Sequence, residues 1–264
     1  MQSTPREIDA NTPSPARLYD YMLGGTDNYE VDRQIADQLL KIAPELRELS
    51  LDNRSFLTDA VEYCARQGIR QFLDIGSGLP TQKNVHEAAQ SVAPDSRTVY
   101  VDNDPSVLPH AQTLIQGDPQ TVYIEADARD YPAVLRHPET ARMLDFTKPV
   151  AVLLVAVVHF IDDSDDPYGV VAGYADQLCP GSYVILAHVT SDDIDPELGE
   201  RMFGLNSQLR VPLTYRTKDE VTRFFDGLEL VGPGVIGLGR WSPDGEVDGP
   251  KRKLNSWCGV ARKV

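Results

Sequence analysis

The sequence predicts an α/β fold: a doubly wound, mostly parallel sheet of seven strands that ends in an antiparallel hairpin, preceded by an N-terminal helical cap. Three observations carry this expectation. From Gly68 onward, short apolar runs rich in β-branched residues alternate with helical stretches, the pattern of βαβ units. The last two strand-like runs are joined by a Gly- and Pro-rich loop with no helix, so they have to pair antiparallel at the sheet edge. Before Gly68 the apolar periodicity is helical throughout.

Taken in order, Ser14 followed by Pro15 is a helix N-cap with proline at the first helical position. Gly24-Gly25 ends that helix, and Leu18, Tyr21 and Met22 share one face of it. A second helix is expected over residues 28–43, with Val31, Ile35, Leu39 and Ile42 in register before Pro44. In a third, Leu57, Ala60, Val61 and Cys64 face one way and Gly68 supplies the C-terminal cap. Strands follow at 71–75, 98–102, 121–126, 150–157 and 183–188, with helices between them at 81–91, 105–116, 131–144 and 167–178. Thr217 and Glu220 form a capping box for one more helix ending near Gly227. The last strands are 228–238 and 256–262. Residues 1–68 are thus a helical cap and 69–264 the sheet domain, together one compact unit with no internal repeat.

With 264 residues the chain can bury a substantial core without staples. Its 41% hydrophobic and 25% charged residues place it among globular chains, not disordered or fibrous ones. The longest apolar run, Val150 to Val158, is half the roughly 18 residues a membrane span needs, so it reads as a buried strand and no membrane partner is expected. Residues 1–15 have neither the basic nor the apolar region of a signal peptide, and a cytoplasmic location is expected. Cys64, Cys179 and Cys258 are scattered and odd in number, which points to neither a disulfide framework nor a zinc site. A formal net charge of −15 makes the average surface repel polyanions, so no nucleic-acid partner is expected. The local basic cluster Lys251, Arg252, Lys253 reads as a solvated turn entering the last strand. Oligomeric state is left open, a homo-oligomer included.

Chemistry concentrates at three strand ends. Phe72-Leu73-Asp74-Ile75-Gly76-Ser77-Gly78 is a strand running into a glycine turn, where a Cβ would obstruct a ligand approaching the backbone. Asp74 is placed to accept hydrogen bonds from the loop or from a ligand's amino group. Read alone, the segment is equally a plain β-to-α turn. Val99-Tyr100-Val101-Asp102 then puts a carboxylate 24 residues beyond Gly78, the offset of a ribose-binding acid, with two oxygens for two hydroxyls. Asn103 and Asp104 follow, and Asp104 reads as a cap for the next helix. The third strand ends Glu125-Ala126-Asp127-Ala128-Arg129, with Asp127 placed to accept from an adenine amine. Three such acids indicate a nucleoside.

The glycine loop departs from the dinucleotide fingerprint, because Gly78 is followed by Leu79, Pro80 and Thr81 where a third small residue is needed to seat a pyrophosphate. Neither a Tyr-x-x-x-Lys pair nor a phosphate-binding G-x-x-x-x-G-K-[ST] loop is present. A sulfonium nucleoside without phosphates would not need the third glycine.

At this point the chain resembles a known family. Asp74-Ile75-Gly76-Ser77-Gly78 with Asp102 and Asp127 is similar to the motifs of class I, Rossmann-like methyltransferases, and nearly the whole chain resembles an S-adenosylmethionine-dependent methyltransferase family of actinobacteria whose substrates are unassigned. The most specific segments are those from Pro15 to Tyr29, from Tyr100 to Pro105 and from Pro149 to Leu154. The resemblance implies S-adenosyl-L-methionine as cofactor, a methyl acceptor that is a small molecule, and a sheet carrying one reversed strand. Cofactor contacts are expected from Asp74, Gly76, Ser77, Gly78, Asp102, Asn103, Asp127, Ala128 and Arg129, and from Val155 and Ala156 at the end of the fourth strand. His159 follows, where related enzymes carry a histidine beside the cofactor. It reads as a base for the acceptor proton or as a packed strand-end histidine. His188 ranks below it.

The turn from Gly24 to Asn28 reads as a lid contributing Tyr21, Gly24 and Asn28 to the cofactor, or as a helix-helix corner. Residues 190–216 are expected over the acceptor side, with Met202, Phe203 and Leu209 lining a pocket or packing. Two other functions stay open. An NAD(P)-dependent oxidoreductase would bind a pyridine nucleotide and end in a parallel strand. A non-catalytic cofactor-binding regulatory protein would keep the three carboxylates without an acceptor pocket.

Overall fold

The computed structural model describes residues 8–80, 83–206, 209, 211–245, 248–249 and 254–264. The basic turn at Lys251 to Lys253 and the expected helix start at Thr81 lie outside these. Among the described residues eight strands form one sheet: β1 (Gln71–Ile75), β2 (Arg97–Asp102), β3 (Thr121–Glu125), β4 (Ala151–Val155), β5 (Tyr183–Val189), β6 (Glu229–Leu230), β7 (Ile236–Gly237) and β8 (Ser256–Arg262). Their order is β3-β2-β1-β4-β5-β8-β6, with β7 also paired to β8. The first five strands are parallel, and β8 runs antiparallel to β5 from Tyr183 opposite Arg262 to Val189 opposite Ser256.

The ending differs from expectation in one respect. The final strand lies inside the sheet, between β5 and the short β6 and β7, which form the edge. Burial explains this placement: Cys258, Val260 and Ala261 are fully buried and require neighbours on both sides, whereas Glu229 and Leu230 are exposed and suit an edge. The expected strand over 228–238 is two short pieces because Pro233 has no N–H to donate and the chain turns there, with Gly234 N–H bonding to Val231 O.

Among the described residues ten α-helices accompany the sheet: α1 (Pro15–Met22), α2 (Glu30–Ile42), α3 (Leu46–Arg66), α4 (Val85–Val92), α5 (Val107–Leu114), α6 (Tyr131–Arg136), α7 (Pro138–Met143), α8 (Pro167–Asp176), α9 (Pro196–Asn206) and α10 (Lys218–Thr222). The helix expected over 131–144 breaks at His137 (φ −56°, ψ 136°), since a residue before proline is pushed out of the helical region. The two expected caps are present: Ser14 accepts from Arg17 N–H, and Thr217 and Glu220 cap each other's main chain.

Strand alternation divides the core. On one face Leu73, Val99, Val101, Val152, Leu154, Val184 and Leu186 pack against α6 to α8 and Phe224. On the other, Phe72, Leu153, Ile185 and Val260 meet Phe56, Leu57, Ala60, Val61 and Cys64, so α3 is one of the helices covering the sheet. Helices α1 and α2 are tied by a buried ion pair, Arg17 Nε to Asp32 Oδ2 at 2.7 Å. Asp32 also accepts from Ser14 N–H and Tyr29 N–H, and Arg17 donates to Thr12 O, so neither charge lacks partners. Ala43, Met202 and Leu254 then join the end of α2 to α9 and the start of β8. These helices stand over the carboxyl ends of the parallel strands.

Candidate active site

Under that roof lies a cavity of about 540 Å³. It collects residues from every parallel strand end: Asp74 and the glycine turn after β1, Asp102 to Asp104 after β2, Ala126 to Arg129 after β3, Val155 to Val157 after β4 and Ala187 to Thr190 after β5. Open α/β sheets bind ligands at this end.

Residue chemistry at the first two strands is organised by main-chain N–H groups. Gly76 and Ser77 donate to Val101 O at 2.8 and 3.1 Å, which folds the turn back over β2. Gly76 has φ +70°, and a Cβ there would stand 2.3 Å from Val157 Cγ2, so glycine is required on both counts. Asp102 Oδ2 accepts from Gly78 N–H at 2.7 Å and Oδ1 from Asp104 N–H at 2.9 Å. Burial nevertheless pushes Asp102 up to about 6, and Asp74 up to about 7, the latter with the Arg54 cation opposing and Asp102 adding to the rise. Two buried acids share one wall. Asp104 behaves as the expected cap: it accepts from Ser106 N–H and Oγ, and from Ser14 Oγ, which ties α1 to the strand end.

At the third strand, Asp127 accepts from Arg129 Nε and Nη2, and Arg129 Nη1 reaches Asp165 at 2.8 Å, so Arg129 pairs with both acids at the rim. After β4, Ala156 takes φ +59°, a left-handed conformation that costs a non-glycine residue roughly 1–3 kcal/mol. Its N–H bonds to Ala187 O at 3.0 Å, and the kink ends β4 at Val155, short of the expected 157.

His159 lies in a tight turn after this kink, buried, with no hydrogen-bond partner for Nδ1 among the described residues. Burial, then the neighbouring His188 and the Arg216 cation, hold its pKa well below the ordinary 6.5, so the ring is neutral. His188, 5.5 Å away ring to ring, is committed elsewhere. Its Nδ1 lies 2.6 Å from Val189 O, and its Nε2 2.8 Å from Arg216 Nη1. A carbonyl only accepts and a guanidinium only donates, which assigns the proton to Nδ1. Burial lowers the His188 pKa to about 4. Arg216, itself buried, also donates to Ile161 O and Asp163 Oδ1.

Of the expected site residues, Asp74, Gly76, Ser77, Gly78, Asp102, Asn103, Asp127, Ala128, Arg129, Val155, Ala156 and His159 line this one cavity. Tyr21, Gly24 and Asn28 do not. Tyr21 points outward to Asp37 at 2.9 Å, and the face of α1 over the cavity is Pro15, Leu18, Tyr19 and Met22 instead. Gly24 belongs to the turn that closes α1. Asn28 donates to Asp20 and Gly25 O, and Gly25 is small because a Cβ would strike Asp20 Oδ1 at 2.0 Å. These residues hold the helix-helix corner. Met202 and Leu209 line the cavity, while Phe203 is exposed and packs on Tyr215. The sequence reading missed Tyr19, Asn53 and Arg54. Arg54 lies three residues before Leu57, and a cation on the apolar face of α3 was the signal available for it.

A family model described as S-adenosyl methyltransferase matches residues 1–264. The chain belongs to the S-adenosyl methyltransferase family. It is accordingly an S-adenosylmethionine-dependent methyltransferase. It is similar to a DUF574 family protein of Streptomyces avermitilis, with 41% identity over 98% of this chain and 100% of that one and a TM-score of 0.92. It is also similar to a protein of Thermobifida fusca provisionally assigned as a methyltransferase, with 40% identity over 100% and 99% of the two chains and a TM-score of 0.90. At 19% identity and a TM-score of 0.50, covering 94% of this chain and 69% of the other, mitomycin 7-O-methyltransferase shares the fold. No curated protein sequence matches the chain.

The residues present fit this cofactor. Asp74, Asp102 and Asp127 suit a ligand that brings hydroxyls, amines and positive charge, and would repel phosphates. The helix after the glycine turn starts only at Val85, so its N-terminal amides do not follow the turn as a pyrophosphate seat requires. The reversed β8 is likewise what the methyltransferase reading predicts and the pyridine-nucleotide alternative does not.

Proposed function

We propose that this methyltransferase acts on a small-molecule acceptor held beside His159, with the cofactor over β1, β2 and β3. One observation carries the reading: a single cavity is lined both by three strand-end carboxylates and by the buried His159. Bound S-adenosylmethionine supplies a methyl group on a positively charged sulfur. Asp102 would grip both ribose hydroxyls, Asp127 the adenine amine, Asp74 the amino group and Arg54 the carboxylate of the amino-acid end. Gly76, Ser77 and Gly78 leave backbone room beside it. The apolar side chains that α1, α2 and α9 turn to the cavity would limit water beside the methyl group, and alignment away from water is most of what a displacement at carbon requires. His159, neutral and lining the cavity, would take the proton the acceptor loses.

The net charge of −15 favours a small acceptor over nucleic acid. Incubating the protein with methyl-labelled cofactor and a cell extract, followed by separation by size, tests this. Label is expected in the low-mass fraction. Label in RNA or protein would contradict it.

A further inference from the structure

The two halves of the cavity differ chemically. Its acidic lining, Asp74, Asp102, Asp104 and Asp127, belongs to the half over β1, β2 and β3. Among the described residues lining the half over β4, β5 and β8, from Val155 through Ser256, none is Asp, Glu, Lys or Arg. Phe160, Ile161, Met202, Leu213, Tyr215 and Leu254 are among its lining residues. Several of its polar groups are already engaged. Asn206 bonds the Leu213 main chain through both ends of its amide, at 2.8 and 2.7 Å. Thr190 Oγ1 accepts from Trp257 Nε1 at 3.1 Å, and His188 is held at both ring nitrogens. His159 Nδ1 is not engaged.

We propose that this half binds an uncharged hydroxyarene and that the ring hydroxyl is the group methylated, with His159 receiving its proton. The inference rests on the methyl-transfer reading above. A carboxylate or ammonium acceptor would bury a charge where none of the described lining side chains offers a counter-charge, a cost that an uncharged acceptor avoids. Among uncharged acceptors, acidity decides. Enclosed beside His188 and Arg216, His159 is a weak base, and a weak base serves best a proton that is already acidic. A phenolic O–H, near ~10, meets that requirement and an aliphatic alcohol does not. In the transfer, a lone pair of the ring oxygen forms the O–CH₃ bond as the S–CH₃ bond breaks, both its electrons staying on sulfur. The O–H proton passes to the His159 ring and then to solvent. An aryl methyl ether, a neutral thioether and one proton result.

The test is calorimetric titration of the full chain, saturated with S-adenosylhomocysteine, using probes that share one ring system: 2-naphthol, 2-naphthalenemethanol, 2-naphthoate and 2-naphthylmethylammonium. The two neutral probes should bind about tenfold or more tighter than the two ions. With S-adenosylmethionine, 2-naphthol should be methylated in preference to the aliphatic alcohol. His159→Gln should retain binding of S-adenosylhomocysteine and 2-naphthol while losing roughly a hundredfold in transfer. Charged probes binding as tightly as 2-naphthol, 2-naphthol failing to bind, or His159→Gln methylating at the parent rate would overturn the proposal and leave the cofactor site standing. Failure of S-adenosylhomocysteine itself to bind would instead overturn the methyl-transfer reading and this inference with it.

Discussion

Asp102 and Asp74 occupy adjacent strand ends, yet they should behave differently when substituted. Asp102 orders the glycine turn through Gly78 and is the proposed grip on two hydroxyls, so Asp102→Ala should weaken S-adenosylhomocysteine binding by about 3 kcal/mol, roughly a hundredfold, with the far-UV spectrum unchanged. Calorimetry reads the loss directly. Asp74 carries a pH signature. Its folded pKa of about 7 lies above the ordinary 3.8, so between those values the folded chain holds a proton that the unfolded chain releases. Its contribution to stability therefore falls as pH rises through that window. A ligand ammonium group would pair with the carboxylate and lower its pKa, so binding near pH 6.5 should release protons. Titrations in phosphate and Tris should then give different apparent enthalpies, and Asp74→Asn should remove the difference. Equal enthalpies in both buffers for the parent protein would refute the assignment. Asp74, Asp102 and Asp127 were legible in the sequence because each ends an apolar run. Arg54 left only the faint mark of a cation three residues before Leu57 in the interior of α3, and it is the packing of that helix that brings it to the cavity.

Helices α1 and α2 form the part of the roof that depends most on one interaction. Arg17 and Asp32 are both buried, and removing either partner leaves an uncompensated charge, so Arg17→Ala or Asp32→Ala should cost about 3–5 kcal/mol. Urea denaturation checks the magnitude, and limited proteolysis should show earlier cleavage within residues 15–42. Loss of less than about 1 kcal/mol would mean the pair is not what fixes the two helices. Element types were largely readable from periodicity and caps, as Ser14 and Thr217 illustrate. Tyr21 shows the limit of that reading. Helical spacing brought it together with Leu18 and Met22, but Tyr19 is the tyrosine turned inward, held by Ser50 O and Asn53, and those partners come from α3. Helix α9 carried the same start signal as α1, Asp195 before Pro196, with Asp195 Oδ1 accepting from Glu197 and Leu198 N–H, but its mixed segment has no clean apolar stripe and its contacts, such as Met202 on Ala43, are with distant elements.

Across the whole molecule, the sheet sorts the site into two halves. Strands β3, β2 and β1 bring acids to one side, β4, β5 and β8 bring apolar side chains and His159 to the other, and the helical roof covers both. The position of β8 inside the sheet was not available from local pattern, since a hairpin can add its last strand on either side and only the burial of Cys258 and Val260 decides. No described helix is long and apolar enough to cross a membrane. The cofactor is the point on which every assignment of the site depends. Parallel calorimetric titration of the purified protein with S-adenosylmethionine, S-adenosylhomocysteine, NAD and NADP tests it most directly: saturable binding of the two sulfur nucleosides alone is the predicted result, and binding of a pyridine nucleotide alone would contradict it.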